Sequence, residues 1–318
     1  MLSQWRGKCR PVPCDDTMWS LTRCLSQPCL LTVILGLTLF GLGSFAFTQP
    51  NTSDTPVGEL QPILGRYNIR YELFLPKAWK AGTSKWPVLV FLHGRGESGS
   101  FDVTNAQSLP LQLLNNRTFI EQCPFIVLVP QCPRSCAEHG KWKSTVLQQV
   151  TKTVEDVIHE YNGDPQRIYL AGQSMGGHGA WMYSAMTENL FAAVVVICGY
   201  VQQAEVQTVV AQLSARPTPV VIVHAADDSV IPVDASDLMY NALRSAGHPH
   251  VRYLRYESAP GPPIAEYAFM TGHASYELAF RDPGLFTHLL SHMCTSCSPL
   301  RAKSMPGRRS PARVPDAS

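Results

Sequence analysis

An α/β domain with a mostly parallel central sheet and helices on both faces is predicted over residues 60–293, on three observations. Short, uniformly apolar runs recur along the chain, and segments with apolar residues at helical spacing lie between them. Strands buried on both faces read this way, whereas a sheet with one wet face alternates. Hydrophobic residues make up 45% of the 318 and charged residues only 16%, against about 25% in an average soluble domain, so material for a core is ample. Finally, a glycine-flanked serine stands where one apolar run gives way to a helix.

The elements follow in order. Residues 66–75 (RYNIRYELFL) alternate well enough for a strand and end at Pro76. Residues 88–92 form an apolar run closed by His93-Gly94, and residues 125–129 another, opened by Cys123-Pro124 and closed by Pro130. Val146, Leu147, Val150, Val154, Val157, Ile158 and Tyr161 recur at helical spacing, with Ser144 placed as a cap and Gly163 just past the end. A short strand at 168–170, a helix at 176–187 and a buried strand at 192–197 come next. Strands at 220–223 and 251–256 flank a helix near 235–245, and a final helix carries His288 and His292. The loops 98–122 and 257–272 carry no readable code.

The ends differ from the middle. The net charge of +2 divides into +2 over residues 1–28 and +4 over 299–318, leaving −4 between them. No basic stripe crosses the folded part, which argues against nucleic-acid binding. After the basic segment 1–28, residues 29–47 are 19 mostly apolar residues, and about 17–25 such residues cross a bilayer. They read as a signal anchor or, with Ser44-Phe45-Ala46 at a cleavage site, as a signal peptide. Either leads into the secretory pathway, with the bulk of the chain outside the cytosol; a linker at 48–59 follows. Sequons at Asn51 and Asn116 fit that compartment. So does an even count of six cysteines downstream, at 123, 132, 136, 198, 294 and 297. Cys123 and Cys132 flank a strand that holds them roughly 27 Å apart, beyond the reach of a bridge. Cys294-x-x-Cys297 reads as a structural bridge or two thiols rather than a redox or zinc pair. Residues 294–318 read as a disordered basic tail.

The chemistry concentrates in residues 168–177 (IYLAGQSMGG). Strand, Gly172-Gln173-Ser174-Met175-Gly176 and helix make a nucleophile elbow: the glycines let strand and helix crowd together, and Ser174 is held exposed above the sheet. A serine nucleophile needs a base and the base an orienting carboxylate. The strand at 220–223 ends in HAADDSVIP, which offers Asp227 and Asp228 where such sites assemble. Among the histidines after that acid, His248 and His250 precede the last strand and His288 and His292 lie in the final helix. His273, in a loop, is the base. The oxyanion donors are the Met175 amide and the Arg95 amide of His93-Gly94-Arg95-Gly96. His93, Glu97 and Trp142 are cleft or packing residues, and His178 and His224 are supporting ones.

Segments 86–97 (WPVLVFLHGRGE), 128–133 (LVPQCP), 164–181 (DPQRIYLAGQSMGGHGAW), 191–199 (FAAVVVICG), 224–232 (HAADDSVIP) and 272–276 (GHASY) together resemble the α/β-hydrolase superfamily. Within it the chain is most similar to the branch of esterases, polyhydroxybutyrate-depolymerase-like and dienelactone-hydrolase-like proteins, which also holds predicted peptidases. The resemblance covers about residues 60–290 and implies the α/β-hydrolase fold with little or no separate cap. It picks Asp228, four residues after His224, over Asp227. Ala225 departs from the usual glycine, and Tyr276 stands where tryptophan is common. The implied activity is hydrolysis of a small ester or acyl substrate through an acyl-enzyme, with no metal or organic cofactor. A peptidase or acyltransferase would use the same machinery, and an inactive member would act as a binding module. Oligomeric state is not legible.

Overall fold

The computed structural model describes residues 55–82, 84–99, 108–216 and 218–297. The basic segment, the apolar segment 29–47, the Asn51 sequon and the basic tail beyond Cys297 lie outside the described residues.

Eight strands form one sheet: β1 (Leu60–Leu64), β2 (Arg70–Phe74), β3 (Trp86–Leu92), β4 (Ile126–Pro130), β5 (Gly163–Gln173), β6 (Ala193–Ile197), β7 (Val220–Ala225) and β8 (Val251–Tyr256). Their order is β1-β2-β4-β3-β5-β6-β7-β8, and β2 alone runs antiparallel to its two neighbours. The helices are α1 (Leu109–Asn115), α2 (Arg117–Gln122), α3 (Arg134–His139), α4 (Ser144–Glu160), α5 (Met175–Met186), α6 (Gln203–Ser214), α7 (Asp234–Ser245), α8 (Ser275–Ala279) and α9 (Pro283–Leu290).

The apolar runs are buried on both faces because each face feeds a separate core. Val88, Val90 and Leu92 of β3 join Val150 of α4, Trp181 of α5, Val209 of α6 and Leu243 of α7. Leu89 and Phe91, pointing the other way, join Leu113 of α1, Ala279 of α8 and Leu289 of α9. The central stretches Val88–Leu92 of β3, Ile168–Ala171 of β5 and all of β6 therefore carry apolar side chains at every position. Edge strand β8 does not, and Arg252 and Arg255 stay exposed along it. The connection from β6 to α6 covers only residues 198–202, so no cap is inserted there.

Several boundaries differ from the sequence expectation. The strand expected at 66–75 is the second arm of a hairpin. Residues 66–68 form its turn, with Asn68 at φ 57° and the Gly65 amide donating to the Ile69 carbonyl at 2.9 Å. Asparagine accepts the left-handed region at low cost, which lets the chain reverse here. Ser144 is the first residue of α4 rather than its cap, since Lys143 takes the cap position. At the other end the left-handed residue is Asn162. Gly163 already belongs to β5, where a Cβ would meet Val88 and Ile158 within 3.1 Å. His292 lies just past α9, not inside it. Backbone hydrogen bonds also tie on residues just outside 60–293. The Gly58 amide donates to the Leu75 carbonyl at 2.7 Å, and the Cys294 amide donates to the Gln166 carbonyl at 2.9 Å. Disulfides join Cys132 to Cys136 and Cys294 to Cys297, while Cys123 and Cys198 are free and buried. Asn116 is exposed and caps α2 through the Phe119 amide.

Candidate active site

The elbow between β5 and α5 is built by close approach. A Cβ on Gly172 would fall 2.1 Å from the Gly176 carbonyl oxygen, and one on Gly176 would fall 1.9 Å from that of Leu92. Only glycine fits either position. Between them Ser174 sits at φ 54°, ψ −119°, a region that costs a non-glycine residue on the order of 1–3 kcal/mol. Two hydrogen bonds hold it there: its amide donates to the Ile197 carbonyl at 2.9 Å, and its carbonyl accepts from the His178 amide at 3.0 Å.

The structure brings together the three side chains singled out from the sequence. Ser174 Oγ lies 3.1 Å from His273 Nε2, and His273 Nδ1 lies 2.9 Å from Asp228 Oδ2 and 3.0 Å from Oδ1. The carboxylate places the imidazole proton on Nδ1, so Nε2 turns its lone pair towards the serine hydroxyl. Asp228 is fixed in turn by the Val230 and Ile231 amides, which donate to Oδ1 at 2.8 and 2.9 Å. Burial pushes the Asp228 carboxyl up, but the hydrogen bonds from His224 and His273, the His273 charge and the Ile231 amide outweigh it and hold the group well below the usual carboxylate range.

Asp227 points elsewhere. It is exposed, and its Oδ1 accepts from the Ala259 amide at 3.0 Å. His224 is a second ring on Asp228: its Nε2 lies 3.1 Å from Oδ2 and 3.0 Å from the Ile231 carbonyl, so it carries the proton there. Its Nδ1 then accepts from the Ser236 hydroxyl at 2.8 Å. His178 stands under the site, its Nε2 3.2 Å from Glu205 Oε2 and its ring 5.1 Å from that of Tyr200. Burial lowers its pKa despite the Glu205 carboxylate. Of the two, His224 touches the Asp228 carboxylate, whereas His178 meets Glu205 and Tyr200.

A cleft of about 300 Å³ opens over Ser174, bordered by Arg95, Glu97, Met175 and His273. His93 and Trp142 do not reach it. His93 is fully buried, its Nδ1–H donates to the Gly94 carbonyl at 2.8 Å, and its Nε2 accepts from the Cys132 amide at 3.0 Å. Burial pushes its pKa down to about 4 against the pull of the Gly94 carbonyl. Trp142 Nε1 donates to the His93 carbonyl at 3.2 Å, so both brace the loop after β3 from behind. Much of the remaining wall comes from Tyr200, Val230, Ile231, Tyr267, Met270 and Tyr276, most of which sequence reasoning did not find. Tyr200 and Met270 lie in loops and Tyr267 ends a single 3₁₀ turn, Ala265–Tyr267, all too short for a period that would mark an inward side chain. His248, His250, His288 and His292 take no part in the cleft.

Among the described residues one group could hold a metal ion, Cys198 with Asp228 and His273, their ligand atoms within 4.8 Å of one another. Asp228 and His273 already engage each other, and burial pushes the Cys198 thiol up, away from the thiolate a metal prefers. The arrangement suits proton transfer from a hydroxyl to an imidazole in a partly water-excluded cleft.

Residues 65–247 match the model of the family described as "Putative esterase". Over 147 residues, 46% of this chain, the sequence is 26% identical to the bifunctional acetylxylan esterase/xylanase XynS20E of Neocallimastix patriciarum, and it spans 20% of that protein's length. A thermostable esterase of known structure is 28% identical with a TM-score of 0.56, over 74% of this chain and 62% of that one. Esterase 2 of Thermogutta terrifontis shares the fold at 15% identity, with a TM-score of 0.51 over 74% of this chain and 96% of its own. With the elbow, the strand order and this match in hand, the chain has the α/β-hydrolase fold and belongs to the "Putative esterase" family.

Proposed function

We propose that the protein is a serine hydrolase that cleaves small carboxylic esters through an acyl-enzyme. The observation that carries this reading is the unbroken line of contacts Ser174–His273–Asp228, at 3.1 and 2.9 Å, opening on a cleft. His273 Nε2 takes the Ser174 proton as Oγ attacks the ester carbonyl, and Asp228 steadies the imidazolium that results. The Arg95 and Met175 amides receive the oxyanion; Met175 opens α5, where the helix dipole favours negative charge. The proton on His273 then passes to the departing alcohol. A water molecule, deprotonated by His273, releases the acyl group as a carboxylate.

Membership of an esterase family and likeness to an acetylxylan esterase support ester cleavage over amide cleavage. The cleft is at the small end of ligand sites, which run from about 300 to 1,000 Å³, so it favours short acyl groups. Two disulfides support passage through an oxidising compartment. Hydrolysis of p-nitrophenyl acetate, butyrate and palmitate beside a peptide anilide tests the reading. Acetate and butyrate are expected to turn over fastest, and turnover of the anilide alone would overturn it.

A further inference from the structure

Glu97 and Gln173 meet where the two loops of the proposed oxyanion hole come together. Gln173 directly precedes Ser174 in the elbow, and Glu97 lies inside the turn that the Ser98 amide closes by donating to the Arg95 carbonyl at 3.2 Å. Gln173 Nε2 donates to Glu97 Oε1 at 3.2 Å, and the two residues are 3% and 8% exposed. Turning the amide over would set its oxygen against a carboxylate, so the donor orientation is fixed. Gln173 Oε1 has no partner among the described residues, which leaves Glu97 as the group that orients this side chain. The Glu97 backbone is held as well: its carbonyl accepts from Gln131 Nε2 at 2.7 Å. The Arg95 turn is therefore tied to the elbow by a side chain and to the end of β4 by its backbone.

The Glu97 carboxylate stands close to the elbow. Its Oε2 and the Ser174 Cβ lie 3.0 and 3.7 Å from the point a Cβ on Gly94 would occupy. A carboxylate near a developing oxyanion disfavours it, so the gain argued for Glu97 is one of geometry.

We infer that Glu97 is a positioning residue which, through Gln173, sets the spacing of the Arg95 and Met175 amides. The inference rests on the serine-hydrolase reading above. Displacing a catalytic group by 1 Å costs up to about 10²-fold, and losing one oxyanion donor costs about 10²–10³-fold. Breaking the tie lowers kcat by about 10- to 100-fold. KM moves much less, because the oxyanion forms only in the transition state.

The test compares the full chain with Glu97→Ala, Glu97→Gln, Gln173→Leu and the Glu97→Ala/Gln173→Leu double variant. Reactive serines are counted with a fluorophosphonate, and kcat per reactive serine and KM are measured on p-nitrophenyl acetate. Counting sites removes any loss from misfolded protein. Glu97→Ala and Gln173→Leu are expected to lose kcat alike, and the double variant no more than either, as for groups acting as one unit. Glu97→Gln keeps an acceptor oxygen without the charge and is expected to recover most of the loss. Wild-type kcat per site in Glu97→Ala, or Glu97→Gln as slow as Glu97→Ala, would overturn the inference. Wild-type protein that neither labels nor turns over the ester would overturn the serine-hydrolase reading, and this inference with it.

Discussion

At the scale of single residues, identity and placement separate two adjacent carboxylates. Asp228 lies against His273 and Asp227 faces the Ala259 amide. Asp228→Asn is expected to lower kcat by about 10³–10⁴-fold, since the wrong tautomer then faces Ser174. Asp227→Asn keeps an acceptor for Ala259 and is expected to stay within about twofold, as exposed substitutions usually do. The reverse pattern of rates would exchange their roles. In the sequence both aspartates stood open, and only the resemblance to the α/β hydrolases chose between them, because side-chain direction at the end of a strand is set by the turn that follows. His93 gives a prediction in pH. Its imidazole is neutral and buried, with a pKa of about 4 against an ordinary 6.5. The unfolded chain takes up a proton as pH falls through 6.5 and the folded chain does so only near 4, so stability is lost across that window. The loss is on the order of 3 kcal/mol. Melting temperature measured from pH 7.5 to 4.5 is expected to drop through this range, and to drop less steeply in His93→Gln.

At the scale of elements, the elbow was legible in the sequence because its chemistry leaves so few choices. Gly176 touches the Leu92 carbonyl so closely that Gly176→Ala must move backbone, and a loss of more than about 3 kcal/mol is expected. Gly261→Ala, which meets the Ala268 and Met270 carbonyls at ordinary contact distances of 3.4 and 3.8 Å, serves as the control for soluble yield and melting temperature. Equal melting temperatures for the two variants would contradict this account of the elbow. Long α4 was equally legible. Helices α1, α2 and α3 were not, since six or seven residues are too few to show a period. Helix α6 was not read from the sequence either, although it carries a signal, Val206, Val209 and Leu213 on one face, with the Gln202 amide donating to Glu205 Oε2. The bridge between Cys132 and Cys136 holds α3 against the end of β4, and Cys132 also donates its amide to His93. Closing so short a loop is worth about 2 kcal/mol. Cys132→Ala/Cys136→Ala is therefore expected to melt about 4–8 °C lower. An unchanged melting temperature would remove the bridge from the support of the site.

At the scale of the whole molecule, composition and apolar runs were enough for the architecture, because a sheet buried on both faces can be written in few ways. The hairpin β1–β2 escaped because a turn at Asn68 and alternation on both sides resemble one long strand. The cleft wall escaped because loops place Tyr200, Tyr267 and Met270 only once the sheet is assembled. The proposed function therefore rests on Ser174, which stands at the elbow between β5 and α5 with His273 against its hydroxyl. The most direct test is to treat the folded protein with a fluorophosphonate and map the adduct by mass spectrometry. The account predicts one adduct per chain, on Ser174, with ester turnover abolished in proportion and no adduct on Ser174→Ala. An adduct on another residue, or turnover that survives full modification of Ser174, would contradict it.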